Sequence, residues 1–181
     1  MRASVVALML VVVMGAVLAA CSPAALPVSA PPSPSSTPVF ASEEEALAAA
    51  EEAYGAYLAM SDLISNDGGA DPGRIHDVSA GDLADTELEG FAQLAAQGLR
   101  SVGTSQINNF VSQEVDLSGS PIVVAYVCTD VSAVDVLNSS GSSVVSDSRP
   151  DLQPFAVAFD KFAGQLLPVS RDVWDGGGVC I

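Results

Sequence analysis

Apolar side chains recur at helical spacing from residue 43 to about residue 64. Leu47, Tyr54 and Leu58 form one row, and Tyr57, Met60 and Ile64 lie beside it. That period predicts a helix with a wide apolar face. Ser42 followed by Glu45 is a capping box at its start, and Glu43, Glu44 and Glu45 suit the positive end of the helix dipole. Asn66, Asp67, Gly68, Gly69 and Pro72 mark residues 66–77 as a loop. A second capping box, Thr86 to Glu89, opens a second predicted helix. Leu88, Phe91, Leu94, Ala95, Leu99 and Val102 line its apolar side, a short turn over 82–85 precedes it, and Gly103 ends it.

The period then shortens. Ile107, Val111, Val115 and Leu117 read as one side of a strand, and Ser118–Pro121 turns the chain. Residues 122–128 are apolar on both faces, the signature of a central strand. Val131–Val136 continues it or pairs nearby. Asn138–Gly141 is a turn, and Val144-Val145 begins a short return strand. Phe155, Val157 and Phe159 alternate in a further strand. Ala163-Gly164 turns it, and Leu166–Trp174 pairs back. Two helices followed by a run of hairpin-linked strands predict an α+β domain over 42–181, its N-terminal helices packed in a curved antiparallel sheet.

The N-terminal segment obeys different rules. Val5–Leu18 is apolar but for Gly15, which is signal-peptide length and short for a committed membrane span. It closes on Leu18-Ala19-Ala20-Cys21, which resembles the bacterial lipobox. The resemblance implies removal of residues 1–20 as a lipoprotein signal peptide and acylation of Cys21 with palmitate-type chains. Multiple chains hold firmly where one holds only marginally. Residues 21–41 then form a tether with Pro23, Pro27, Pro31, Pro32, Pro34 and Pro38 among serine, alanine and threonine. Such a segment is extended and solvated, reaching on the order of 50 Å. The expected location is the extracytoplasmic face of the cell membrane.

Charge narrows the partners. The chain has 6 basic and 22 acidic residues, a formal net charge of −16. Nucleic acid is excluded as a natural partner, because a phosphate backbone demands lysine and arginine. A basic patch for anionic lipid headgroups is excluded on the same ground. The acidity itself serves solubility.

Chemistry-bearing residues are few. Of three cysteines, lipidation accounts for Cys21. Cys128 and Cys180 then remain to pair as a disulfide outside the cytosol, pinning the tail to the sheet, and they lack the Cys-x-x-Cys spacing of a redox pair. His76 is the one histidine and stands beside Asp77, but no nucleophile accompanies it. Asp62, Asp67, Asp71 and Asp77 lack the spacing and closing glutamate of a calcium loop. Asp130, Asp135 and Arg171 fall on predicted strands and read as rim or surface positions. No catalytic residue, metal ligand or cofactor motif emerges.

The capped first helix, the Val124–Asp130 stretch, the Asn138–Gly141 turn, the Phe155–Trp174 hairpin and the terminal Gly-Gly-Gly-Val-Cys together resemble secreted actinobacterial lipoproteins with an NTF2-like, or cystatin-like cone, domain. The resemblance implies a sheet curled around the first helix, leaving an open-ended cavity. No catalytic set of the superfamily can be matched here, so the expectation is a non-catalytic, membrane-anchored envelope lipoprotein. It would serve as an interaction or accessory module, contacting an envelope protein or a second copy through an exposed apolar patch on the sheet. The competing expectation is a carrier of a small apolar ligand, its pocket lined by Tyr54, Tyr57, Leu58, Phe91, Tyr126 and Phe155.

Overall fold

The structure is a computed structural model, and it describes residues 40–180. The predicted signal peptide (1–20), Cys21 with its expected acylation, and nearly all of the predicted tether lie outside the described residues. Helix α1 (Glu43–Asn66) begins as its sequence dictates. The Ser42 hydroxyl oxygen accepts from the Glu45 N–H at 3.2 Å, and Glu45 Oε2 reaches back to the Ala41 N–H at 2.8 Å. The helix buries Ala46, Ala50, Tyr54, Tyr57, Leu58 and Ile64. A 3-10 helix (Pro72–Asp77) follows within the predicted loop.

Helix α2 (Gly81–Ala96) departs from the sequence reading at both ends. Thr86 is not a cap. It lies inside the helix, its hydroxyl donating to the Asp82 carbonyl at 2.8 Å. The true start has no side-chain cap; the Ala80 N–H instead donates to the Pro168 carbonyl at 3.1 Å, so a strand distant in sequence sets the boundary. The end is set by Gly98, which takes a left-handed φ of 65°. The Gly98 and Leu99 N–H groups then donate to the carbonyls of Ala95 and Leu94, a Schellman closure. Leu99 and Val102, read as helical, thereby leave the helix. The same closure ends α1, with Gly68 and Gly69 bonding back to Ser65 and Ile64.

Arg100–Val102 forms strand β1 and pairs antiparallel with β4 (Asp135–Leu137) in a two-stranded ribbon. The main sheet has the order β2-β3-β5-β6, all antiparallel: β2 (Gln106–Val115), β3 (Val123–Asp130), β5 (Leu152–Phe162) and β6 (Gln165–Val173). β3 is central, as its two-sided apolar pattern requires. The predicted return strand at Val144 amounts to a bridge between Leu137 and Ser143 and a bond from the Val144 N–H to Val136. The fold is therefore α+β, with the N-terminal helices packed on one face of a four-stranded antiparallel sheet.

The core lies between α1 and that face. Val123, Ala125 and Val127 of β3 and Val157 and Phe159 of β5 alternate inward. The ring of Tyr54 packs at 5.5 Å from Tyr57 and 6.4 Å from Phe159, whose ring lies 6.0 Å from Phe110. Such pairs add to the gain from area burial alone.

Candidate functional site

Two places hold polar or aromatic groups in an arrangement the packing alone does not require. The first is buried. Leu83, Glu87 and Phe91 occupy one row of α2, four residues apart, and the middle position of this inward row is a carboxylate. The Tyr57 hydroxyl donates to Glu87 Oε1 at 2.7 Å and the Ser61 hydroxyl to Oε2 at 2.9 Å. The Arg171 guanidinium of β6 reaches Oε1 at 3.3 Å. The guanidinium also lies 4.7 Å from the Phe155 ring centre and 5.4 Å from that of Tyr57. Beside this network the hydroxyls of Tyr54 and Thr129 share a 3.1 Å hydrogen bond.

The electrostatics fix protonation. Burial pushes the Tyr57 phenol well above its ordinary value, and Glu87 beside it pushes the same way against Arg171. Tyr57 stays a neutral donor. Burial works against the charge on Arg171, but Tyr57, Tyr54 and Glu87 outweigh it and leave the guanidinium firmly protonated. Both oxygens of Glu87 are engaged, so the group ties α1, α2 and β6 together. Arg171, read from sequence as a rim residue, faces inward.

The second place is the opposite face of the sheet. Pairing register puts Val111, Val124, Tyr126, Ala156 and Ala158 on it. Trp174, just beyond β6, stacks on Tyr126 with ring centres 4.1 Å apart. Gly176 lies so tightly against the indole that a Cβ there would overlap the ring. Trp174 thus packs against both a tyrosine ring and backbone, while both aromatic side chains remain only half-buried. Val111 is 43% exposed. The C-terminal tail crosses one end of this face. The Cys128–Cys180 disulfide anchors it, with Cα atoms 5.2 Å apart, and Asn109 Nδ2 donates to the Val179 carbonyl at 3.0 Å.

Charge on this face has one sign. The outward positions of the four strands carry Glu114, Asp130, Asp160 and Asp172 and no lysine or arginine. Hydrogen bonds from Ser132 hold Asp130 below the usual carboxylate range, and Asp160 accepts from the Ser120 hydroxyl.

The six residues expected to line a ligand pocket are divided between these places. Tyr54, Tyr57, Leu58 and Phe91 are buried in the core. Phe155 lies under Arg171, and Tyr126 is on the outer face. A groove of about 320 Å³ brings in Leu58 with Gly55, Ala59, Asp62 and residues 104–107, but none of the other five. His76 and Asp77 are exposed on the 3-10 helix. Asp62 accepts from the N–H and hydroxyl of Ser105 at 2.6 and 2.9 Å, and Asp67 pairs with Arg74 at 3.5 Å. Asp135 accepts from Ser143 at 2.6 Å. Among the described residues no group of three His, Cys, Asp or Glu side chains is placed to hold a metal ion, and no helix is long and apolar enough to cross a membrane.

Glu87 is the site residue that sequence reasoning missed. Its signal was present: a carboxylate interrupting an apolar row. The false capping box at Thr86 assigned it to the helix start instead.

No protein-family model matches the chain, and no curated protein sequence does. Among solved structures, the intermembrane space region of the chloroplast protein ARC6 is similar with a TM-score of 0.49 and 11% identity. The match covers 68% of this chain and 92% of that one.

Proposed function

We propose that the protein is a lipid-anchored envelope lipoprotein on the extracytoplasmic face of the cell membrane. Its domain, of the NTF2-like kind that its sequence resembles, acts as a non-catalytic interaction module through the outer face of the sheet. The observation that carries this reading is that face: Val111, Val124 and the Tyr126–Trp174 stack form an apolar surface covered by neither helix. Three features support the setting. The Leu18–Cys21 motif fits lipoprotein processing, the proline-rich tether gives the domain reach, and a disulfide suits an oxidising compartment. The inner network supports a non-catalytic role, because Glu87 is fully engaged and Tyr57 is held protonated.

The test uses the full-length chain in an exporting bacterial host. Wild type is expected in the membrane fraction with acyl mass on Cys21, and Cys21→Ser in the soluble exported fraction. Unchanged fractionation of the variant would remove the anchor from the proposal. A photo-crosslinker at position 111 is expected to capture a discrete partner or a second copy, and one at exposed position 89 on α2 is not. Equal yields from both positions would refute the outer face as the docking surface.

A further inference from the structure

We infer that the outer face of the sheet takes a segment of a partner protein in which arginine or lysine alternates with apolar residues; this rests on the docking reading above. Two features of the face combine. Its centre is apolar and aromatic, with Trp174 packed against Tyr126 and Gly176. Its charged positions are Glu114, Asp130, Asp160 and Asp172, drawn from all four strands, and no lysine or arginine of those strands shares the face with them. The two basic residues within these strands lie elsewhere. Arg171 points inward to Glu87, and Lys161 sits near the hairpin tip on the opposite parity to Asp160.

A second copy of the chain is disfavoured as occupant. Stacking two such faces sets like charges against each other, in a chain that already carries −16. A basic-apolar segment satisfies both features at once. Its apolar residues cover Val111, Val124 and the edge of the aromatic stack, while its cations meet the surrounding carboxylates. A pre-formed aromatic anchor costs little further ordering on binding.

The chain has one tryptophan, so binding has a built-in reporter. Full-length protein in detergent would be titrated with three labelled peptides of identical apolar pattern, carrying arginine, glutamine or glutamate at alternate positions. Peptide anisotropy gives affinity, and Trp174 emission locates the contact. The arginine peptide is expected to bind saturably, to shift Trp174 emission, and to weaken with added salt. The glutamine peptide should bind about tenfold more weakly, and the glutamate peptide more weakly still. Glu114→Gln with Asp172→Asn, two exposed carboxylates of the face, should weaken the arginine peptide towards the glutamine peptide's level without changing the melting temperature. Equal binding of the arginine and glutamine peptides would overturn the charge selectivity and leave an apolar docking face. No peptide binding, with continued capture of a second copy at position 111, would overturn this inference while the interaction reading stands. Failure of both removes both.

Discussion

The Tyr57 hydroxyl sits 2.7 Å from Glu87 Oε1, and that contact joins the two helices across thirty positions of sequence. The same carboxylate takes Ser61 from α1 and Arg171 from β6. Three elements therefore converge on one side chain that is 11% exposed, where the low local dielectric strengthens each bond and makes a missing partner costly.

Glu87→Ala should destabilise the domain by about 2 kcal/mol, because it strands the Tyr57 hydroxyl and an arginine that is largely removed from water. The value falls below that for fully buried pairs, since the Arg171 side chain keeps 26% exposure. Glu87→Gln should cost less than half as much, as an amide still serves Tyr57 or Ser61. Urea unfolding followed by far-ultraviolet circular dichroism measures both. Indistinguishable midpoints for wild type and Glu87→Ala would mean that the network is idle.

The raised Tyr57 pKa makes a prediction at high pH. In the unfolded chain this phenol ionises near pH 10, about its ordinary value. In the folded state burial keeps the proton on to higher pH. Above about pH 10 the unfolded state therefore binds fewer protons, and stability falls as pH rises towards the folded pKa. Below that point Tyr57 contributes no pH dependence. Denaturation midpoints measured at pH 8, 10 and 11 should fall more steeply for wild type than for Tyr57→Phe. Parallel curves would exclude Tyr57 as the source.

How much of this was legible in the sequence varies with how local the cause is. The α1 start needed only Ser42 and Glu45. The central place of β3 needed only the two-sided apolar run at 122–128, and the Ala163-Gly164 hairpin needed only its turn residues. The α2 boundaries were not legible, because the start depends on a bond from Ala80 to Pro168, some 90 positions away. Its end depends on which of two glycines, Gly98 or Gly103, closes the helix, and both adopt positive φ. At the candidate site, each aromatic residue named from the sequence has a defined place. Their division between the core and the outer face depends on strand register, which a one-residue slip would reverse.

The Cys128–Cys180 bridge closes a separation of 52 residues, and the chain-entropy account assigns such a loop roughly 4 kcal/mol. Cys128 is fully buried while Cys180 is partly accessible. Cys180→Ser should lower the melting temperature markedly, and a reductant should then have no further effect on this variant. It should also loosen residues 176–180 and change Trp174 emission, since Gly176 lies against the indole. Calorimetry and fluorescence together decide the matter: a lowered melting temperature with unchanged emission would mean that the tail stays on the sheet without its bridge.

Gly103 joins β1 to the loop before β2 and is the position where the backbone has the least room. Its φ is 89°, and a Cβ there would overlap the Ala133 carbonyl oxygen, a backbone atom that cannot rotate away. Its own carbonyl accepts from Asn66 Nδ2 at 3.0 Å, tying the end of α1 to the ribbon. Gly103→Ala should therefore cost at least about 2 kcal/mol, combining conformational strain with displacement of the β1–β4 ribbon. Gly141, with φ of 81° but open space around it, isolates the conformational part. Gly141→Ala should cost about 1 kcal/mol. Amide hydrogen exchange adds the location. Protection should fall at Arg100–Val102 and Asp135–Leu137 in Gly103→Ala and remain at wild-type levels in β3 and β5. Equal costs for the two variants, or loss of protection spread evenly over the main sheet, would show that close packing against Ala133 is not what requires glycine at position 103.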